Sequence, residues 1–200
     1  MDHQKVQNRK ALRPVVVLLF AALLCACGVN TIPTEEEQAK AAWSEVQNQY
    51  QRRAELIPNL VETVKGFAQQ ERDVLTQVTE ARAKATQVQV NANQLTDPAA
   101  IQRFQEAQAQ LSGALGRLLA VSERYPDLKS NQNFLALQSQ LEGTENRIAV
   151  ARRDYIGAVQ SYNTEVRTFP GRLWAGIYGA TPMATFTTTE ENQRAPSVKF

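Results

Sequence analysis

Apolar side chains recur at alternating steps of three and four residues from Trp43 to Val88, and no other feature constrains this chain as much. Positions 43, 46, 50, 53, 57, 60, 64, 67, 71, 74, 78, 81, 85 and 88 read Trp, Val, Tyr, Arg, Ile, Leu, Val, Phe, Glu, Val, Val, Ala, Ala and Val, so twelve of the fourteen are apolar or aromatic. A stripe of this period runs along one side of a helix, and a long one needs a partner helix to cover it. Period-two alternation, the mark of a half-buried strand, is nearly absent.

Two further stripes follow. Thr96-Asp97-Pro98 sets a capping side chain ahead of a proline at the first helical position, where its missing N–H costs nothing. The seam behind it runs Ile101, Phe104, Gln108, Leu111, Leu115, Leu118, Ser122 and Tyr125, and Pro126 ends it. A third helix opens near Ser130-Asn131 and carries Phe134, Leu141, Thr144, Ile148, Tyr155, Tyr162, Val166 and Phe169. Pro170 stops it and starts a short fourth helix with Leu173, Trp174, Ile177 and Tyr178. Thr34 with Glu37 three residues on predicts a capping box at the front. Long amphipathic helices joined by short loops are antiparallel neighbours. The expected fold is therefore all-α, an up-and-down helical bundle of the four-helix class over residues 34–180, with a polar C-terminal tail over 181–200.

Read as one helix from residue 35 to about 92, the first stripe would be roughly 85 Å long, against about 42 Å for the second. The second helix would then cover the first only down to about residue 64, with a kink expected at Pro58. Trp43, Val46, Tyr50 and Ile57 would be left to pack on the tail, on a second copy in a homo-oligomer, or on another protein. On that reading Val46→Asp or Tyr50→Asp weakens association and leaves the fold intact.

The N-terminus carries a targeting pattern over residues 1–26. Lys5, Arg9, Lys10 and Arg13 precede an apolar run from Val15 to Leu24, and Leu24-Cys25-Ala26-Cys27 follows. A leucine three before a cysteine, with a small residue between, resembles a lipobox and predicts cleavage before Cys27 and acylation of its thiol, with 27–33 as a lipidated linker. An uncleaved signal anchor is the alternative, although the run is shorter than the roughly 20 residues a spanning helix needs. Either reading attaches the chain to a membrane and places its bulk away from the cytoplasm.

Removing 1–26 takes away four of the 22 Lys and Arg and one of the 20 Asp and Glu, leaving 18 against 19. The positive balance belongs to the targeting segment, so nothing points to nucleic acid as a partner. His3 and Cys25 go with it, and Cys27 is the one cysteine left. Histidine-dependent catalysis, Cys/His metal sites and a disulfide within the remaining chain are excluded on composition, and no cofactor is expected.

Two runs about a hundred residues apart carry a more specific pattern. The first spans 48–66 and includes Asn48, Tyr50, Arg52, Arg53, Glu55, Ile57, Pro58, Asn59, Leu60 and Glu62; the second spans 162–175 and includes Tyr162, Asn163, Glu165, Val166, Arg167, Phe169, Pro170, Arg172 and Trp174. Together they resemble the LemA family of bacterial envelope proteins, over nearly all of the chain beyond the targeting segment. The family usually carries Gly-Phe near 179–180, where this chain has Gly179-Ala180, and Ala195 to Phe200 resembles the family's terminus, an apolar end expected to dock. The resemblance implies a helical bundle in the cell envelope with no agreed biochemical activity. Arg53, on the seam, is read either as an arginine whose stem covers apolar surface or as an ion-paired residue with Glu55 or Glu62 nearby. Tyr162, Val166 and Phe169 share a face, read either as an aromatic clamp at the helix stop or, with Asn163 and Arg167, as a recognition site. The expectation is a membrane-anchored, non-catalytic scaffold or protein-interaction module for an envelope partner, with Trp43, Tyr50, Arg53, Tyr162, Asn163, Arg167 and Phe169 as partner-binding candidates. The alternative is a module binding peptide or cell-wall fragments in an inter-helix groove lined by Tyr50, Arg53, Tyr162 and Arg167.

Overall fold

The long first stripe is carried by two helices, which fold back on one another. The computed structural model describes residues 29–186. Its elements are α1 (Thr31–Phe67), α2 (Arg72–Gln87), a 3-10 turn at Ala92–Gln94, α3 (Pro98–Val121), a second 3-10 turn at Ser122–Arg124, the single-turn α4 (Pro126–Lys129), α5 (Gln132–Arg167) and α6 (Gly171–Tyr178). The described residues contain no strand.

The break falls at 68–71, where Gly66 and the polar run from Gln69 to Asp73 withdraw both helix propensity and apolar anchorage. Ala68 leaves the helical region at φ −131° and ψ 55°, yet its N–H still donates to the Val64 carbonyl at 2.8 Å. Glu71, the one acidic residue on the stripe, is partnered across the bundle. It accepts from the Tyr125 hydroxyl at 3.1 Å and pairs with Arg124 at 3.0 Å, tying the turn to the α3–α4 connection. A four-residue turn keeps the three-and-four spacing in step, which is why the stripe reads straight through it.

α1 and α5 run antiparallel along the whole bundle. Ten residues up α1, from Trp43 to Arg53, match ten residues back along α5, from Tyr155 to Glu145. α2 descends beside α1, bringing Arg82 to Ala54 and Val90 to Trp43. α3 then rises beside α2, with Gln108 against Ala85. The bundle is therefore up-down-up-down, and the first helix does not outrun its partners. Trp43, Val46 and Ile57 are at most 1% exposed and Tyr50 is 7% exposed, all inside the core. The stripe expected to await a partner is covered by α5, α3 and the α2–α3 connection. Val46→Asp and Tyr50→Asp therefore strike the core itself.

Both ends of the chain differ from expectation. α1 starts at Thr31, before the expected Thr34–Glu37 capping box: Thr34 Oγ1 instead donates to the Asn30 carbonyl at 2.8 Å, and Glu37 binds Lys40. The extra turn is tolerated because Pro33 falls where helical N–H groups lack partners anyway, and Ile32 is buried. Asp97 and Asn131 do cap their helices, accepting from the Ala99 and Phe134 N–H groups. At the other end, residues 181–186 are an extended strap on the bundle, with Met183 and Phe186 buried, so the first part of the expected tail belongs to the core. Residues 1–28, including the expected targeting segment and Cys27, and residues 187–200 lie outside the described residues. No helix among the described residues is long and apolar enough to cross a membrane.

Pro58 does not break α1. Its missing N–H leaves the Ala54 carbonyl without its helical donor, and Arg82 Nε of α2 donates to that oxygen at 2.8 Å. The defect in one helix is thus the attachment point of the next. Arg82→Met is expected to cost about 1–2 kcal/mol, and less in a Pro58→Ala background, where the backbone N–H at position 58 is restored. Urea unfolding of the two single variants and the double variant measures that coupling.

Candidate functional site

The core is divided in two. One cluster centres on Trp43, Phe104 and Tyr155 near the Val29 end, and the other on Leu60, Leu111 and Phe134 near the turn at 68–71. The division falls where all three long seams carry a polar residue: Arg53 between Tyr50 and Ile57, Gln108 between Phe104 and Leu111, and Thr144 between Leu141 and Ile148.

Arg53 is 1% exposed. Its Nη1 donates to Glu145 Oε1 at 2.7 Å and to Ser112 Oγ at 2.8 Å, and its Nη2 donates to Gln108 Oε1 at 2.7 Å and to the Gln108 carbonyl at 3.3 Å. The guanidinium carbon lies 5.0 Å from the centre of the Tyr50 ring. Gln108 passes the network on, donating from Nε2 to the Ala85 carbonyl at 3.2 Å. One cation therefore links α1, α3 and α5, and through Gln108 reaches α2. Its carboxylate is Glu145, on another helix, rather than Glu55 or Glu62, which bond Gln51 and Lys65 on α1. A recess of about 230 Å³ opens beside this layer, lined by Gln47, Gln51, Thr86, Gln89 and Gln108.

Near the Val29 end the signature residues of α5 hold the strap. The Tyr155 hydroxyl donates to the Ala184 carbonyl at 2.8 Å, and the Tyr162 hydroxyl donates to the Thr181 carbonyl at 3.1 Å. Asn163 bonds Met183 twice: Nδ2 donates to its carbonyl and Oδ1 accepts from its N–H, both at 2.8 Å. Ala184 N–H reaches the Leu95 carbonyl in the α2–α3 connection at 2.7 Å. Phe186 closes on Trp43 and Tyr155 at centroid distances of 5.8 and 5.6 Å, with Arg152 4.5 Å from its ring centre. Trp43 itself donates to the Val90 carbonyl at 2.8 Å. Burial pushes the hydroxyls of Tyr50, Tyr155 and Tyr162 above the ordinary phenol range, which keeps them protonated.

The seven partner-binding candidates thus separate. Trp43, Tyr50 and Tyr162 are core residues, Arg53 is the buried cation, and Asn163 is a backbone clamp. Arg167 and Phe169 stay on the surface, Phe169 81% exposed. Arg53 and Tyr162 lie in different parts of the interior, so no cleft lined by Tyr50, Arg53, Tyr162 and Arg167 forms. Among the described residues, no three His, Cys, Asp or Glu are placed to hold a metal ion. Sequence reasoning missed Glu145 and Ser112, which sit on polar faces with no spacing to mark them. It also missed the strap, whose apolar residues Met183 and Phe186 are isolated in a threonine-rich stretch.

A model described as the LemA family matches residues 42–200. The chain belongs to the LemA family. It is 29% identical over 180 residues to "Magnetosome protein MamQ 2" of Paramagnetospirillum magneticum, an alignment covering 82% of this chain and 65% of that protein. It is 24% identical over 140 residues to "Protein LemA" of Metamycoplasma hominis, covering 70% of this chain and 60% of that protein. A third relative, "Magnetosome protein MamQ" of Magnetospirillum gryphiswaldense, is 25% identical over 166 residues, covering 75% and 61%. The chain spans less than two thirds of the length of each.

In this LemA-family chain both signature runs are tied to the fold by side chains bonded across elements. Arg53→Ala should cost about 2–4 kcal/mol, because the buried Gln108 loses its donor and the side chain leaves a void, while Glu145 is half exposed and can turn to solvent. Arg53→Met combined with Gln108→Leu should recover much of that loss. Denaturant titration of the two variants tests this. Asn163→Ala should release the strap: amide exchange at Met183 and Ala184 quickens to the rate of open chain, while the α5 amides near Ile148 stay protected.

Proposed function

We propose that this LemA-family chain is a membrane-tethered, non-catalytic scaffold of the bacterial cell envelope, acting by protein contact with its bulk facing away from the cytoplasm. The observation that carries this reading is the enclosure of its most distinctive polar residue. Arg53, the one charged side chain buried among the described residues, is directed at two other helices, α3 by way of Ser112 and Gln108 and α5 by way of Glu145, and not at a cleft. The basic segment and apolar run ahead of Cys27 supply the tether, and family membership agrees with an envelope setting.

The surface best suited to a partner lies at the other end. A groove of about 700 Å³ between α1 and α2 has Val61 and Leu75 in its walls and Glu62, Lys65, Arg72 and Glu80 around them. Apolar walls edged by both signs of charge suit an amphipathic peptide or helix. The same groove supports a second reading, a module that takes peptide or cell-wall fragments.

A photo-crosslinking residue placed at Thr76, in this groove, and at Asn146, on the outer face of α5, tests the proposal in intact cells. The protein is expected in the membrane fraction, with a discrete protein adduct from position 76 and none from 146. An adduct of peptidoglycan mass at 76 favours the second reading. A chain found in the cytoplasmic fraction, or equal adducts from both positions, overturns the scaffold reading.

A further inference from the structure

α6 is built the wrong way round for a helix that only completes a core. Its small residues, Gly171 and Ala175, are buried against the bundle, while Leu173 (59% exposed), Ile177 (71%) and Tyr178 (47%) face outward with Phe169 just before it. Gly171 is required there, because a Cβ would overlap the carbonyl and carboxylate of Glu165 at the end of α5. Four of the eight large hydrophobic side chains exposed among the described residues fall within these ten positions; Phe67, Leu135, Val150 and Ile156 are scattered elsewhere. Scattered apolar residues are ordinary surface, whereas a contiguous cluster marks a contact.

The position of the cluster says what it contacts. The Tyr178 hydroxyl donates to the Val29 carbonyl at 3.2 Å, so α6 touches the point where the N-terminal segment joins the bundle. Val29 is two residues from Cys27 and five from the end of the apolar run at Leu24. Extended chain reaches at most about 3.6 Å per residue, so the α6 end of the bundle lies within about 18 Å of whatever holds Leu24, or about 7 Å of an acylated Cys27. Around α6 the chain carries two cations, Arg167 and Arg172, against the one carboxylate of Glu165. At the same end of α1, Glu36 and Glu37 share the single cation Lys40, each at 2.8 Å.

We propose that Phe169 and the outer face of α6 form a bilayer-contact surface, which seats in the interfacial region of the membrane that holds the N-terminal segment. Leu173 and Ile177 enter the acyl boundary beside Phe169. The Tyr178 ring lies at headgroup level, and Arg167 and Arg172 meet lipid phosphates. The tether alone would leave the bundle free to swivel; this second contact stands it end-on and carries the α1–α2 groove away from the membrane. The proposal rests on the tethered reading above and adds a separate surface to it.

The test uses the full chain reconstituted into phosphatidylethanolamine/phosphatidylglycerol vesicles containing brominated lipid. In a Trp174→Phe background the enclosed Trp43 is the one remaining native indole. Phe169→Trp then reports on α6, and Leu135→Trp on the opposite end of the bundle. Flotation of the chain with vesicles is expected, with the indole at position 169 quenched by brominated lipid and shielded from aqueous acrylamide, and the indole at 135 showing the reverse. Adding Leu173→Glu and Ile177→Glu should abolish lipid quenching at 169 while flotation persists. A chain that floats but leaves position 169 as open to acrylamide as 135 overturns the contact surface and leaves the tether standing. Shielding of position 169 from both quenchers means a protein covers it, a second copy or another part of the chain, and also overturns the proposal. Failure to float removes tether and surface together.

Discussion

A guanidinium taken out of water costs several kcal/mol unless its donors are met, and Arg53, whose buried Nε has no partner, offsets that cost through Nη1 and Nη2 only when three other residues stand at one level of the bundle. Glu145 must come from α5, and Gln108 and Ser112 from α3. Slide either helix by one turn and Arg53 faces an apolar layer, Tyr50 and Ile57 lose their facing positions, and the cation is stranded. Apolar seams alone specify register weakly, because leucine-rich layers resemble one another. One polar layer between two apolar clusters distinguishes the correct alignment from its neighbours, as a buried polar residue does in a coiled coil. Register along α1 and α5 in turn decides where Tyr155, Tyr162 and Asn163 meet the strap.

Much of this architecture was legible in the residues, and the failures have physical causes. The three long seams, the caps at Asp97 and Asn131, the stop at Pro170 and the all-α class follow from local period and local capping chemistry, which sequence displays directly. The turn at 68–71 does not, because its length preserves the phase of the stripe and the decisive tie, Glu71 to Arg124 and Tyr125, is nonlocal. From that one omission came the false conclusion that Trp43, Val46 and Tyr50 lack internal cover.

The polar layer was half visible. Arg53, Gln108 and Thr144 each interrupt a seam, and laid in antiparallel register the three interruptions fall at one height. Glu145 and Ser112 could not be found that way, since a glutamate or serine on a polar face looks the same whether or not a cation waits behind it. The signature around Tyr162 and Asn163 was visible as a pattern, but its use was not. Side chains that hold backbone carbonyls leave no trace in the sequence of the segment they hold, here 181–186.

The strap has a further consequence, for the order in which the molecule can be completed. Trp43 emerges well before Phe186, which closes over it, and before Ala184, which bonds Leu95. The cluster near the turn at 68–71 uses nothing beyond Leu141 and can assemble first. The cluster near Val29 keeps an open flank until residues 183–186 have been made. The Val29 end of the bundle is thus sealed after the end at the 68–71 turn, and its final piece is supplied by a short extended segment instead of a helix.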